Sequence, residues 1–317
     1  MCIRDSSSLF EVTYSPDTAV THYAEIQVHN NDDDENPYNF FITGTVTTPS
    51  CPSPTYTYEF TNQITGSSHE QSFAVTSDGD ANVIIAGGFS GPADFDFGAG
   101  THNLTAVSNR DIYLAKYDAD NNLLWANQFG TTGNNVCYEV TTDASNNIIM
   151  VGMVESTGLD LDPGAGNTNL TNNGNDDMFV AKYDPDGNYL WGFMLGGSVN
   201  EEMTAVSTDA AGNVFVSGWF NSGSIDADPG PGTHTLTTNG GQDLFMAKYS
   251  PSGNLIWAHS FGSSSFDDQA FVETDAAGNV FLAGRFFGTV DFDPGPGTTN
   301  LVSCLLYTSD AADDDVR

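Results

Sequence analysis

The sequence is poor in positive charge. Its 317 residues include only 7 lysines and arginines against 42 aspartates and glutamates, which gives a formal net charge of −35 at pH 7. A surface this acidic repels nucleic acid and anionic membranes and attracts cations, so we expect no nucleic-acid partner and no membrane insertion. Aromatic residues make up 12% of the chain, which is too many for a disordered acidic tail.

Cysteine and catalytic motifs are also scarce. The 4 cysteines are too few for a disulfide framework in a chain of this length. No stretch shows sustained helical periodicity, and no GxSxG, HExxH, P-loop or Cys–His nucleophile pattern occurs. The sequence therefore predicts a protein that is not an enzyme of a motif-bearing class, and a fold without helices.

Both chain ends look foreign to the rest. Residues 1–6 read MCIRDS and residues 304–317 read CLLYTSDAADDDVR, and codons for the first stretch can be the reverse complement of codons for the second. Both resemble a sequencing-library adapter read through as protein, so we exclude them from the fold argument. We expect residues 7–303 to be a piece of a larger multidomain chain.

What the sequence does have is a repeat of about 66 residues. Trp125, Trp191 and Trp257 are 66 residues apart, and so are the chain's three lysines, Lys116, Lys182 and Lys248. Asp78, Asp143, Asp209 and Asp275 follow at steps of 65 or 66 residues, and we expect each to form the first tight turn of its repeat. Each lysine could pair with a neighbouring aspartate at the surface or simply hydrate a strand edge. Independent landmarks that share one period predict a repeat architecture.

Each repeat reads as two hairpins. In the third, the runs MTAVSTD, NVFVSGWF, DLFMAKYS and NLIWAHSFG alternate with short turns rich in glycine, asparagine and aspartate. We name these four strands A to D. Four short antiparallel strands per repeat are typical of a β-propeller blade, with a solenoid as the competing repeat architecture. We predict an all-β fold with an incomplete β-propeller.

These residues also carry a family resemblance. VSTDAAGNVFVSGWF followed by DLFMAKYSPSGNLIWAHSFGS resembles the SBBP-type bacterial β-propeller repeat and, more distantly, the NHL-type blade. The resemblance covers about residues 56–303 and specifies fold better than function. It implies a secreted or cell-surface protein, because such modules commonly occur in exported chains.

The predicted domain organisation has three natural parts. Residues 7–47 are similar to the last strands of an Ig-like module of the choice-of-anchor D or ASH type, and residues 48–55 form a linker. The propeller spans 56–303, with blades at about 69–130, 135–196 and 201–262 and a partial blade at 268–303. Residues 56–66 align with strand D, so we expect them to complete the last blade as a latch.

One acidic turn occurs four times, once in each repeat, between strands B and C. It reads DFDFGAG, DLDPGAG, DADPGPG and DFDPGPG, and its paired aspartates are Asp94 and Asp96, Asp160 and Asp162, Asp226 and Asp228, and Asp291 and Asp293. Carboxylates two residues apart, followed by a turn that can direct backbone carbonyls towards them, suit the oxygen ligands of calcium. The alternative is that each aspartate caps its turn through Asx hydrogen bonds.

The position of these turns leads to a functional prediction. In an antiparallel meander the A–B and C–D turns lie at one end, and the B–C and D–A connections lie at the other. We therefore expect the acidic turns to share one face with the D–A connections. We predict a non-enzymatic binding or adhesion scaffold that presents this acidic face to a protein or glycan ligand. The rivals are a carbohydrate-active propeller enzyme or lectin completed by further blades, and a structural spacer.

Overall fold

The computed structural model describes residues 62–168 and 170–303, and before them the backbone of three strands. Contacts divide the chain into two compact units, of which the larger spans Asn62–Leu305. Within the described residues there is no helix, and hence none long and apolar enough to cross a membrane.

The smaller unit contributes one antiparallel sheet of three strands. β1 (Leu9–Tyr14) pairs with β2 (His22–Val28), which pairs with β3 (Ile42–Thr43). The Ig-like assignment of this segment stays a prediction. The predicted linker at 48–55 and the two terminal segments lie outside the described residues.

The larger unit contains three sheets of four antiparallel strands, which we call blades 1 to 3. Blade 1 has β5 (Glu70–Ser77), β6 (Val83–Phe89), β9 (Asp111–Tyr117) and β10 (Leu123–Phe129). Blade 2 has β11 (Asn135–Thr142), β12 (Ile148–Val154), β13 (Asp177–Tyr183) and β14 (Tyr189–Leu195). Blade 3 has β15 (Glu201–Thr208), β16 (Val214–Phe220), β19 (Asp243–Tyr249) and β20 (Leu255–Phe261). Blade 4 has β21 (Asp268–Thr274) and β22 (Val280–Arg285).

The A strands of successive blades stand side by side. A ladder of hydroxyl groups joins their last residues: the side chain of Thr142 donates to the carbonyl of Ser77 over 3.0 Å, that of Thr208 to Thr142 over 3.0 Å, and that of Thr274 to Thr208 over 2.9 Å. The innermost strands therefore follow one another around a common centre. The fold is an incomplete β-propeller.

The core lies between the faces of neighbouring blades. Side chains alternate along β9, so Ile112 and Leu114 face blade 2 while Tyr113, Ala115 and Tyr117 face the other way. All seven residues of β9 are buried, as are all seven of β13. Burial on both faces explains why the C strands lack the polar alternation of a surface strand.

The A–B turns are built by an aspartate in each blade. In blade 3 the Asp209 carboxylate accepts the backbone N–H groups of Ala211 over 3.0 Å and Asn213 over 2.9 Å. Gly212 closes the turn at a φ of 77°, where a side chain is strained. The prediction that these aspartates form turns is confirmed.

The B–C connections form second, smaller hairpins. These are β7 (Pro92–Asp94) with β8 (Asn103–Thr105), β17 (Ser224–Asp226) with β18 (Thr235–Thr237), and β23 (Thr289–Asp291) with β24 (Asn300–Val302). In blade 2 the connection keeps a single bridge between Leu159 and Leu170. We call these four elements the acidic hairpins.

The acidic hairpins turn back along the outer strands, which corrects the predicted position of their tips. At its base, blade 1's hairpin contacts strand D, where the Gln128 side chain donates to the Thr105 carbonyl over 2.7 Å. At its tip, the ring of Phe97 stacks at 4.3 Å on Tyr117, the last residue of strand C. The acidic turns thus lie level with the C–D turns and not with the D–A connections.

Packing explains this reversal. Blades that radiate from a centre diverge at their outer edges, and the apolar side of each hairpin fills the gap. In blade 3, Ile225, Ala227 and Leu236 are buried in one cluster with Val180 and Phe193 of blade 2. Burial of such side chains contributes about 1.5–3 kcal/mol each for the larger ones.

Only the end of the predicted latch is described. β4 (Thr65–Gly66) pairs with β7 through Thr65 opposite Asp94 and Gly66 opposite Ala93. Residues 56–61 lie outside the described residues, so the latch stays a prediction.

Candidate functional site

The paired aspartates of the acidic hairpins hold their own turns. In blade 3, Oδ1 of Asp226 accepts the backbone N–H groups of Asp228 over 3.0 Å and His234 over 2.8 Å, and Oδ1 of Asp228 accepts that of Gly230 over 2.8 Å. The same bonds recur at Asp94 and Asp96, at Asp160 and Asp162, and at Asp291 and Asp293.

These bonds favour the ionised carboxylates. Backbone N–H groups of His102 and Asp96 lower the pKa of Asp94, and those of Thr299 and Asp293 lower the pKa of Asp291. In the part of the chain that the structure describes, no three His, Cys, Asp or Glu side chains form a group able to hold a metal ion. The turn alternative accounts for the geometry, and calcium binding stays a prediction.

A buried tyrosine fixes each of the first three acidic hairpins to its blade, a contact that sequence reasoning missed. The hydroxyl groups of Tyr117, Tyr183 and Tyr249 each donate over 2.9 Å to the carbonyl of the residue between the paired aspartates. That residue is itself buried: Phe95, Leu161 or Ala227. The conserved spacing of AKY and DxD within the repeat was the available signal.

The three lysines form ion pairs with the turn aspartates. Lys116 lies 2.8 Å from Asp78, Lys182 lies 2.8 Å from Asp143, and Lys248 lies 3.1 Å from Asp209. The sequence predicted a pair of this kind as one option, but at the surface. The first two pairs are instead almost fully buried, with exposed side-chain fractions of 5% or less.

The same lysines and the strand-D tryptophans join successive blades. Lys116 Nζ donates to the Pro185 carbonyl of blade 2 over 2.9 Å, and the Trp125 indole N–H reaches the same oxygen over 3.3 Å. Trp191 makes the equivalent bond to Pro251 over 2.9 Å. The repeated residues therefore build the scaffold and its contacts between blades.

A second set of repeated carboxylates lies at the opposite end of the blades. Asp111, Asp177 and Asp243 begin the C strands, are fully buried, and each has one oxygen without a hydrogen-bond partner among the described residues. Burial, reinforced by the nearby charges of Glu201 and Asp267 respectively, raises the pKa values of Asp177 and Asp243 to about 6. We call these three the seam carboxylates.

The repeat symmetry breaks at a cleft between the A strands. The cleft holds about 600 Å³ and lies at the end where the A strands begin, opposite the tight turns; we call this the cleft end. Its walls combine aromatic, acidic and amide side chains from all four blades: Phe73, Tyr138, Glu139, Glu202, Thr204, Trp219, Gln242, Asp268, Gln269 and Phe271.

A β-bulge at the same place in each A strand directs residues towards this cleft. The pairing register shifts between Ser72 and Ala74, and at the equivalent points of β11 and β15. The extra residue is Phe73, Tyr138 or Thr204. The backbone bulge therefore recurs in each of these strands, while the side chain at the bulge differs from blade to blade. Bulges commonly redirect a side chain next to a functional site. Alignment of the repeats would have revealed this variable position.

The cleft carboxylates are partly desolvated. Burial raises the pKa of Glu202, while contacts with the Tyr138 hydroxyl and the Trp219 indole oppose the rise. Burial also raises the pKa of Glu139, and the negative charge of Glu273 adds to it. Removal from water, together with repulsion from Glu273 at Glu139 and from Asp176 at Glu202, makes these carboxylates favourable contacts for a cation.

The chain is similar to parts of two known proteins. No family model matches the chain. It is 28% identical over 200 residues to an uncharacterized WD repeat-containing protein of Acanthamoeba polyphaga mimivirus, across 56% of this chain and 14% of that protein. It is 26% identical over 164 residues to the regulatory protein FlaEY of Caulobacter vibrioides, across 50% of this chain and 16% of that protein.

The chain thus spans less than one fifth of the length of each of these relatives. WD repeats form the four-stranded blades of β-propellers, so the first relative agrees with the observed fold.

Proposed function

We propose that the protein is a non-enzymatic interaction scaffold that binds a partner protein at its cleft end. The observation that carries this proposal is the distribution of exposed apolar side chains. Val107, Val199, Phe266 and Phe287 lie in the loops of that end, with exposed fractions between 36% and 69%. Their equivalents in the other blades are mostly small or polar.

The contrast between recurring and variable residues supports the proposal. Residues that recur in every blade hold turns or join blades, as the ion pairs and acidic hairpins show. Variable exposed residues on a rigid scaffold are where binding specificity usually resides, and exposed apolar groups favour a protein partner. The WD repeat-containing relative supports a scaffold based on repeats.

A peptide library displayed on phage tests this function with the full chain. We expect peptides selected on the wild type to lose binding to a Val199→Ser/Phe266→Ser variant. The matched control is Ile256→Ser, which changes a side chain of 50% exposure on strand D, away from those loops. Selection of no peptide above background, or equal loss in both variants, would contradict the proposal.

Secretion or cell-surface display belongs to the same proposal, and it is supported by the resemblance to modules of exported proteins. Protease added to intact cells should digest the protein before the cells are lysed, while a cytoplasmic marker stays intact. Protection of both proteins until lysis would contradict an adhesion role at the surface.

Calcium at the eight paired aspartates remains a proposal with a direct measurement. If the free carboxylate oxygens bind calcium in the folded state, the melting temperature rises with added calcium and falls with chelator. An unchanged melting temperature at about millimolar calcium, the range of weak extracellular sites, would contradict calcium binding. The paired aspartates would then only form turns.

A further inference from the structure

We propose that the cleft receives an arginine side chain of the partner protein, with its guanidinium group between the aromatic rings and the carboxylates of Glu139 and Glu202. This inference rests on the proposed function and specifies the chemistry of its central contact.

Charge is the first argument. Glu139 and Glu202 come from neighbouring A strands and face the same cleft. Neither takes part in any of the four ion pairs found among the described residues. Arg285 is paired with Asp268, and no positive charge is among the groups that shift the pKa of Glu139 or Glu202. A cation from outside the chain would offset the repulsion that these desolvated carboxylates experience.

The aromatic walls are the second argument. The rings of Phe73 and Tyr138 meet edge to face, with centroids 5.5 Å apart and an interplanar angle of 77°. Phe73 is 37% exposed, which leaves ring surface open to a ligand. A cation over the face of such a ring is attracted by the electrons of the ring, and more strongly when the cation is desolvated.

The choice of arginine over lysine follows from shape. A guanidinium group is planar, so it stacks on a ring while its N–H groups form paired bonds to carboxylates, which a compact ammonium group cannot do. The chain already binds one of its own arginines in this way at the edge of the cleft. Arg285 donates through Nε to Asp268 over 2.6 Å and through its terminal nitrogen to the other oxygen, and it lies 5.6 Å from the centre of the Phe287 ring.

The experiment is a fluorescence anisotropy titration of the full chain with a labelled Gly-Gly-Arg-Gly-Gly amide. Peptides with citrulline or lysine in place of arginine serve as probes of charge and shape. We expect saturable binding of the arginine peptide, binding about tenfold or more weaker for citrulline, which lacks the charge, and an intermediate result for lysine.

Variants locate the contact. Glu139→Gln/Glu202→Gln should weaken the arginine peptide about tenfold or more, whereas Asp120→Asn/Asp186→Asn, which removes the same charge from exposed C–D turns, should leave it within about twofold. Glutamine keeps the size of the side chain and its contacts with Tyr138 and Trp219, and melting temperatures confirm folding. The Glu139→Gln single variant should give a smaller loss.

Several results would overturn the assignment. They are equal binding of the citrulline peptide, equal loss in the two charge-matched variants, and no saturation below about 1 mM, where a specific contact should already hold. The proposed function has a separate outcome. If phage-selected peptides need Phe266 but neither arginine nor Glu202 for binding, the scaffold function stands and the arginine site is wrong.

Discussion

At the scale of single residues, the buried lysines of blades 1 and 2 each hold a turn aspartate and also contact the next blade. Lys182 neutralises Asp143 and also approaches the Pro251 carbonyl of the next blade, at 3.5 Å. Its exposed side-chain fraction is 3%. A buried ion pair of this kind is costly to break, because the partner left behind is a charge without compensation.

We therefore predict that Lys182→Met lowers the free energy of unfolding by about 3–5 kcal/mol, as measured by urea denaturation. Lys248→Met is the matched comparison. Its ion pair is longer, at 3.1 Å, and its side chain is 21% exposed, so water can solvate the remaining aspartate. The loss there should be smaller, at about 1–2 kcal/mol. Losses of equal size would mean that burial does not determine the contribution of the pair.

The sequence predicted residue roles unevenly. It identified the turn aspartates, because the Asp-x-x-x-Asn pattern is local and its hydrogen bonds span four residues. It placed the lysines at the surface, because their burial depends on Pro185 and Pro251 of the following blade, about 69 residues away in the chain. Local chemistry can be read from a sequence, whereas burial by a neighbouring repeat requires the packed structure.

At the scale of elements, the tip of each acidic hairpin leaves little space for a side chain at its glycines. A Cβ atom on Gly232 would lie 2.2 Å from Oδ2 of Asp228, and one on Gly230 would lie 3.0 Å from Oδ1 of the same residue. The carboxylate is held in place by the Gly230 N–H, so it cannot move away without loss of that bond.

Gly232→Ala should consequently destabilise the protein by about 1–3 kcal/mol through steric strain. Gly230→Ala, with the longer approach, is the control and should cost less than half as much. Differential scanning calorimetry of both variants measures the difference. A melting temperature for Gly232→Ala equal to that of the wild type would show that the hairpin tip rearranges freely.

The strands of each hairpin were not predicted, and the reason is physical. The motif DxDPGPG indicates a turn, but nothing in its spacing shows that the connection folds back along strand D. The hairpin follows that path because its apolar side fills the gap between diverging blades. This gap exists only after the blades have assembled. The cleft was missed for the same reason, since residues such as Tyr138 and Trp219 meet only across blades.

At the scale of the whole molecule, the four-strand repeat and the all-β propeller architecture are confirmed. Repetition made these predictable, because one pattern of hydrophobic runs and turns was observed several times in one chain. The seam carboxylates give this assembly a pH dependence. The usual pKa of an aspartate is 3.8, and burial with a nearby charge raises that of Asp243 to about 6.

The sign follows from linkage. A folded state with the higher pKa binds more protons than the unfolded state, so this contribution to stability is complete below pH 3.8 and is lost as the pH rises through about 6. Asp243→Asn removes it, and the amide oxygen can keep the bond that Asn239 N–H now makes over 2.8 Å. We expect the melting temperature of the variant to match the wild type near pH 4 and to exceed it by roughly 2–4 °C at pH 7–8.

Asp186→Asn, at an exposed turn, provides the control for net charge. It should show no such crossover between pH 4 and pH 8. If the two variants followed the same pH profile, general repulsion in a chain of net charge −35, and not the buried position of Asp243, would explain the effect.

The bonds from Trp125 and Lys116 to the Pro185 carbonyl end on a backbone atom, which every residue type supplies. Copying one blade within the gene would thus add a unit that can form these same bonds to its neighbours, whatever residue supplies the carbonyl. The number of blades can change by duplication, while the bulge residue of each new copy is free to diverge and so to change the lining of the cleft.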